Sequence, residues 1–480
     1  MRCFLRIWTA SLFCFGIANA QTLTNDVTAY VETISTNPFP SALNSLPYVR
    51  NVWSMFPFHG LLYLGYGNAS NLEPEPYGGA VEVIAFNPVS GKFTNQYNMP
   101  EQQVDHYRVF DGQLVSPGFN PDGFVNGNGD FYIQESNTWN RVATIPGATH
   151  TFDIYDFQGV WFAGLGKYGS NIVSSTNQGA TWNNVMSADL AGEDSTGNRV
   201  LSFFELNNTL YSVTMVLLPD FNLGPTILSY DTNQELFNVD GLLSDFGLAN
   251  FCPNTLIPLG LNYCIARATN VNDNLLYLLG VITNDMQWDP VALYWAANVD
   301  AGIKVNLPPE TKPWDILQTG NHAWVLTSTP VEGSSNYWVQ VVGTDVFEDD
   351  GNGNDDFTNN WRELLRFQCS TFARSFALLN GDFYFGLGCE TNLLSPATGG
   401  ILRVKAQYFQ PTVSASFSGA GVVDVLAQCP TDQSLVVEES SDLKNWMPVF
   451  TNLTVGGTLS WSANQSSSNA LQFYRCLVGP

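Results

Sequence analysis

The sequence predicts an all-β protein: a seven-bladed β-propeller, with six or eight blades left open, followed by a small β-sandwich-like domain. Three observations carry the prediction. Segments alternating apolar and polar residues with period two recur along the chain. Gly or Asn punctuates them at spacings of about 50 to 60 residues, the length of one four-stranded blade with its loops. Gly, Asn, Ser, Thr and aromatic residues are abundant, and amphipathic runs of helix formers are nearly missing.

The first signal is a recurring hairpin, an alternating strand, a small or polar turn and an aromatic-rich strand. It reads "VWSMFPFHGLLYLGYG", "HYRVFDGQLVSPG", "TFDIYDFQGVWFAGLG", "VLSFFELNNTLYSV", "NTLIPLGLNYCIA", "DILQTGNHAWVLTS" and "FARSFALLNGDFYFGLG". The turns are expected at Gly60, Gly112, Gly159, Asn208, Leu259, Gly320 and Asn380, because Gly and Asn supply the positive φ of a tight hairpin. Second hairpins such as "TILSYDTNQELFNV" complete four strands per unit. The last unit, ending "GGILRVKA", is one strand short, and the stretch before Arg50 is positioned to supply it and remove the open edge. Expected boundaries are a signal at 1–20, an N-terminal segment at 21–46 that closes the ring, the propeller at 47–406 and the terminal module at 407–480.

The first residues have the parts of a secretory signal. Arg2 and Arg6 precede an apolar stretch, and Ala18-Asn19-Ala20 offers small residues for cleavage before Gln21. The apolar run is short for a bilayer span, and no later stretch is apolar enough to cross one. The expected location is therefore outside the cell or in the periplasm. Formal net charge is −25, which repels nucleic acid and anionic membranes. Asn68, Asn207, Asn452 and Asn464 lie in N-x-S/T sequons.

Cys3 and Cys14 leave with the signal, so the exported chain keeps Cys252, Cys264, Cys369, Cys389, Cys429 and Cys476. An even count in an exported chain suggests disulfides, and the absence of C-x-x-C spacing argues against zinc. Near-symmetry about two turns pairs Cys252 with Cys264 and Cys369 with Cys389; Cys429–Cys476 would tie the terminal module.

One hairpin, "SSTNQGATW", reads Ser175-x-Asn177-x-Gly179-x-Thr181-Trp182. It differs from S-x-D-x-G-x-T-W by one residue, and on that phrase the chain resembles the Asp-box (BNR-repeat) propellers of the sialidase-like superfamily. The resemblance is specific in one blade. It implies that the phrase is a hairpin staple on the face away from the active centre. It also implies a three-arginine clamp, to which Arg50, Arg199 and Arg374 are the matching types, but no F/Y-R-I-P phrase or tyrosine–glutamate pair accompanies them. The terminal module resembles those ending many secreted bacterial proteins, through "SSDLKNW" and "FYR".

Ligands of a propeller usually sit where its innermost strands begin. Reading back from each turn gives Arg50, Asp105, His106, Arg108, His150, Asp153, Arg199, Asp315 and Arg374 as the candidate binding ring. Structural pairing of charges across blades explains the same residues without a ligand. Trp161, Trp314, Trp324 and Trp338 are candidate sugar platforms wherever they are exposed. H-E-x-x-H, G-x-S-x-G and phosphate-cradling loops are absent. The expected function is non-enzymatic binding or scaffolding on an extracellular glycan or protein. The alternative is a sialidase-like or other polysaccharide-active hydrolase or lyase, for which two carboxylates at an open mouth are the discriminating feature.

The stretch "DVFEDDGNGNDDFTNNW" suggests calcium through Asp349, Asp350, Asn352, Asn354 and Asp355. It is no EF-hand, because Asp355 stands where the mid-loop glycine belongs and Trp361 where the closing glutamate belongs. A flexible acidic loop suits Ca2+ with its about six to eight oxygen ligands better than Mg2+. Millimolar calcium is expected to raise the melting temperature over that in EDTA, and Asp350→Asn with Asp355→Asn to abolish the difference. Identical melting curves of the unmutated chain in calcium and in EDTA would make the loop a solvated turn.

Overall fold

The computed structural model describes residues 3–5, 26–68, 79–118, 128–136, 138–148, 150–166, 172–186, 200–217, 223–242, 262–271, 274–282, 288–298, 302–307, 310–319, 322–344, 361–409, 412–417, 422–428, 434–441, 446–453, 458–464 and 473–478. Among them, seven four-stranded antiparallel sheets succeed one another from Glu32 to Val404. Their innermost strands are Ser54–Phe58, Arg108–Phe110, His150–Phe157, Phe203–Leu206, Asn262–Val271, Lys312–Thr319 and Ala373–Leu379. The sheets are blades of a β-propeller, numbered here from the one that begins at Ser54.

The chain ends close the ring. Blade seven takes Ala373–Leu379, Asp382–Leu387 and Ile401–Val404 from one end of the propeller sequence and Glu32–Ser35 from the other. Glu32 pairs with Arg403 and, at 2.5 Å, with Lys405. Blade seven then meets blade one, where Ser375 Oγ donates to the Val52 carbonyl at 2.7 Å. The core lies between blades rather than inside one sheet. Leu62, Tyr63 and Phe86 of blade one pack in one cluster with Leu114 and Trp139 of blade two and Ala377 and Tyr384 of blade seven.

Among the described residues, five inner hairpins have two-residue turns with both residues left-handed. His59-Gly60, Asp111-Gly112, Gln158-Gly159, Asn207-Asn208 and Asn380-Gly381 all have positive φ, the geometry that matches strand twist. The fifth differs from the sequence expectation at Leu259. Its inner hairpin is Asn262–Val271 paired with Asn274–Ile282, and the register puts Val271 opposite Asn274. The register places the fifth turn between Val271 and Asn274; residues 272–273, like Leu259, lie outside the described residues. Pro258 and Gly260 are turn formers in the sequence, which is why the expected turn falls upstream of this hairpin.

Cys369 and Cys389 are not bonded to each other, contrary to the symmetry argument. The hairpin around Asn380 starts only at Ala373, whereas Cys369 ends the outermost strand of blade six, paired with Tyr337. Inner and outer strands occupy opposite edges of a blade, so counting outward from the turn ran past the hairpin. Cys389 is buried and receives a long contact, 3.8 Å, from Asn51 Nδ2. Cys252 and Cys429, expected partners of Cys264 and Cys476, lie outside the described residues, as does the whole acidic loop with Asp349, Asp350, Asn352, Asn354 and Asp355.

"SSTNQGATW" joins the third and fourth strands of blade three, Ile172–Ser175 and Asn183–Asn184. Asn177 Oδ1 accepts the Thr181 N–H at 2.9 Å, its Nδ2 donates to Thr181 Oγ1 at 2.8 Å, and Ser175 Oγ accepts the Gly179 N–H at 2.8 Å. Gln178 and Gly179 are left-handed, and a Cβ at Gly179 would lie 2.5 Å from Phe131. Trp182 packs edge-on against Phe131 of blade two and donates to Thr144 Oγ1. The turn thus fastens one blade to its neighbour.

The terminal module is two sheets around Val423, Val425, Leu435, Val437, Leu459 and Tyr474. One holds Thr412–Phe417, Val422–Gln428 and Thr458–Asn464; the other holds Ser434–Ser440, Met447–Leu453 and Phe473–Val478, with Cys3–Leu5 as an edge strand. Cleavage after Ala20 would remove that edge strand. No helix among the described residues is long and apolar enough to cross a membrane.

Asn177→Ala removes three side-chain bonds of an exposed turn. A loss of about 1–2 kcal/mol in unfolding free energy is expected by denaturant titration. Unchanged stability would mean that the turn holds its shape without the amide.

Candidate functional site

Four inner strands carry a β-bulge at corresponding places near their starts. The register shifts between Thr151 and Asp153 in blade three, Ile265 and Arg267 in blade five, Pro313 and Asp315 in blade six, and Ala373 and Ser375 in blade seven. A bulge re-aims the side chains beside it. Here Asp153, Arg267, Asp315 and Ser375 follow the extra residue, so the sequence places one polar group at each corresponding position around the ring.

These groups stitch blades together. Asp153 Oδ2 accepts the Phe203 N–H of blade four at 2.9 Å, and Asp315 Oδ2 accepts the Phe376 N–H of blade seven at 3.2 Å. Ser202 Oγ donates to the Ile265 carbonyl, and Ser375 Oγ to that of Val52. Innermost strands have no ladder partner on the channel side, so such bonds satisfy backbone groups that would otherwise be buried unpaired.

A cavity of about 610 Å³ opens where the strands begin, and Asp105, His106, Arg108, Asp153, Arg267 and Asp315 all line it. Asp153, with no side-chain exposure, accepts from Arg108 Nε at 2.8 Å and Nη2 at 2.6 Å, and its Oδ1 lies 2.8 Å from His106 Nε2. His106 Nδ1 lies 3.2 Å from Asp105 Oδ2, so one imidazole spans two carboxylates. Arg267 joins the far side: Nε lies 3.4 Å from Asp315 Oδ1, Nη1 3.8 Å from Asp105 Oδ2, and Nη2 donates to the Trp53 carbonyl at 2.7 Å.

The carboxyl groups are driven in different directions. Burial opposes ionisation of Asp153 most strongly, but Arg108 and His106 outweigh it and hold the group well below the usual carboxylate range. Asp105 also lies below its ordinary value, because His106 and Arg267 overcome its burial. Asp315 goes the other way. Burial pushes it up to about 6, although Arg267 and the Phe376 and Ile316 N–H groups partly offset that. His106 is raised despite burial, since Asp153 and Asp105 favour the imidazolium.

Of the ring read from the sequence, Asp105, His106, Arg108, Asp153 and Asp315 converge. Arg50 does not: it sits on a 3-10 turn, Tyr48–Arg50, with Nη2 3.4 Å from the Pro396 carbonyl. His150 stacks on Phe152 instead of reaching the cavity. Arg374 is the bulged residue of blade seven and lies behind the wall, its guanidinium 4.2 Å from the Trp53 ring. Arg199 lies outside the described residues. Arg267 is the residue the sequence reading missed. Reading back from Asn272-Asp273 instead of Leu259 would have found it. Trp161, Trp314 and Trp324 are core residues, and Trp338 is half-buried beneath Arg366, so none offers an open sugar platform.

Fold and site together define a β-propeller with a polar, charge-paired cavity at one mouth. No family model matches the sequence, and no curated protein matches it. Among solved structures, the chain is similar to the β-propeller domain of the Trilobed protease from Pyrococcus furiosus, at 7% identity and TM-score 0.39, over 70% of this chain and 90% of that one. An exo-β-1,3-galactanase from Phanerochaete chrysosporium aligns at 8% identity and TM-score 0.32 over 93% and 96%. An endo-arabinase from Bacteroides thetaiotaomicron aligns at 10% and 0.29 over 51% and 93%. Similarities of this size assign no activity; the fold rests on the strand pairing.

Asp153→Asn leaves Arg108 and His106 without their shared counter-charge, and a loss of about 3 kcal/mol is expected by denaturant titration at neutral pH. Asp315 gives an opposite sign of pH dependence. Its carboxyl binds a proton more tightly folded than unfolded, so its contribution falls as pH rises from about 4 to about 6. Melting temperatures of the wild type minus those of Asp315→Asn, taken across that window, should decline with pH. A flat difference would place Asp315 at an ordinary carboxyl affinity.

Proposed function

We propose that the protein is an exported, polysaccharide-active glycoside hydrolase whose site is the mouth cavity. The observation that carries this reading is that Asp105 and Asp315 face one cavity, share Arg267, and are pushed apart in proton affinity. Glycoside hydrolysis uses such a pair, one carboxylic acid to protonate the leaving oxygen and one carboxylate to act as base or nucleophile. Asp315 takes the acid role, since burial keeps its proton into mildly acidic pH. Asp105 takes the ionised role, with His106 and Arg267 orienting it. Arg108 and Asp153 hold His106 in place. Tyr155 and Phe204 add apolar wall against which a sugar ring can pack. The net negative charge of the chain favours a neutral glycan over a polyanion.

Binding without catalysis is the second reading, and a specific observation supports it. Asp153 and Asp315 both spend bonds on the next blade, as purely structural carboxylates would. In either reading the "SSTNQGATW" turn is an Asp-box-like staple remote from the chemistry, and the terminal module is an accessory domain.

A reducing-sugar assay over a panel of neutral polysaccharides, run with a glycan array, separates the two. The hydrolase reading expects turnover with kcat/KM falling above about pH 6 as Asp315 ionises. Asp315→Asn and Asp105→Asn should each lower kcat/KM by at least about a hundredfold while the folded state persists. Glycan binding with no turnover between pH 4 and 7 would replace hydrolase by binder.

A further inference from the structure

The cavity continues past the charged mouth. Its lining runs on along the inner strands of blades one, four, five and six, through residues 55–57, 204–205, 268–270 and 316–318. Asp315 to Gln318 and Arg267 to Asn270 are each three residues of extended strand, about 10 Å at about 3.3 Å per residue. Ala268, Asn270 and Gln318 are exposed, so side chains do not plug the far end. The space is a channel along the inner strands, longer than a single pyranose ring.

Its chemistry changes along its length. Beyond the mouth the wall is Met55, Phe56, Phe204, Ile316 and Leu317, apolar surface against which the C–H face of a sugar can pack. Polar groups then return. The registers put Glu205, Asn270 and Gln318 at one corresponding position, next to last before the inner turn, on three successive blades. All three line the channel, so they form a second polar arc at the end opposite Asp105 and Asp315. Thr269 Oγ1 donates to Gln318 Oε1 at 2.8 Å, which joins blade five to blade six and orients the carboxamide. The arginines and the histidine that line the cavity, Arg108, Arg267 and His106, belong to the mouth, and no lysine lines it. Two amides and a carboxylate suit neutral hydroxyls, with the charge-assisted bond to Glu205 the strongest of the set.

We propose that the channel takes the end of a neutral glycan chain lengthwise: Glu205, Asn270 and Gln318 bind the terminal sugar, and the bond to be cut lies at Asp105 and Asp315. This inference rests on the hydrolase reading and adds its mode of attack. Because the channel is longer than one ring, the piece released is a short oligosaccharide of fixed length. The glycosidic C–O bond breaks, Asp315 gives its proton to the leaving oxygen, and the hydroxyl of one water bonds the freed anomeric carbon, its proton returning to the carboxylates. The lower arc takes no part in that chemistry; it sets how far from the chain end the cut falls.

The test uses the full chain, the neutral polysaccharide it turns over in the reducing-sugar panel, and oligosaccharides of graded length prepared from that polymer. The first product, resolved by chromatography, should be one short oligosaccharide, and kcat/KM should rise with chain length until the channel is filled. Gln318→Ala and Glu205→Gln should each lower kcat/KM on the longer oligosaccharides at least about tenfold, mainly through KM, and flatten its dependence on length. A lower melting temperature with the length dependence of the wild type would make the arc purely structural and overturn the proposal. Mixed fragments, or the monosaccharide as first product, overturn it as well. Absence of turnover on every polysaccharide removes the hydrolase reading by itself, and calorimetry with the neutral glycans bound on the array then decides the channel. Affinity that rises with chain length and falls in Gln318→Ala keeps it as a chain-end site; affinity independent of length, or no binding, overturns it.

Discussion

The bond from one innermost strand to the backbone of the next is the constraint on which the rest of the molecule depends. An innermost strand pairs on one side only, so its channel-facing backbone has no ladder to join. Asp153 to Phe203, Ser202 to Ile265, Asp315 to Phe376 and Ser375 to Val52 answer that need four times around the ring. Each requires a polar side chain just inside the strand start, and the bulges in blades three, six and seven aim three of them. The charges that line the cavity follow. Once a carboxylate is buried to hold a backbone N–H, it needs a cation, and Arg108, His106 and Arg267 supply the positive charge.

That ordering separates the carboxylates by what they leave free. Asp153 is saturated by two donors from Arg108, one from Phe203 and the contact with His106, so it anchors its neighbours. Asp105 makes no backbone stitch; its partners are side chains, and 26% of its side chain is exposed. Asp315 is intermediate, bonded to two N–H groups yet only weakly matched by Arg267 at 3.4 Å. That weak match leaves burial as the dominant influence on its proton. The geometry thus turns a structural requirement into three chemically different acids.

The repeat was legible because its signal is local. Gly60, Gly112, Gly159, Asn208 and Asn380 mark left-handed turns whose chemistry does not depend on the rest of the chain, and five blades follow from them. The missing strand of the last unit was also readable, since Ile401–Val404 leaves an open edge that Glu32–Ser35 fills. Where two local signals competed, the reading failed. Pro258 and Gly260 look like a hairpin turn as much as Asn272 and Asp273 do, and choosing them concealed Arg267. The Cys369–Cys389 pairing failed for a related reason, because symmetry about a turn says nothing of where a strand ends. Five of the nine ring residues converge, since strand starts point to one mouth. Arg50, His150 and Arg374 diverge from the cavity because a 3-10 turn, a ring stack and a bulge redirect them, and none of these has a sequence signature.

Pairing Glu32–Ser35 with Ile401–Val404 sets the order in which the molecule can be completed. The first strand of the propeller joins a sheet whose other three members are the propeller's last. Every intervening blade must exist before that pairing is reached, a contact of very long sequence separation. Until then blade seven lacks its outer strand and Glu32–Ser35 has no partner, which leaves two exposed edges on a growing chain. Assembly from the N-terminal end therefore proceeds as an open arc, and the ring acquires its full cooperativity only in its final step.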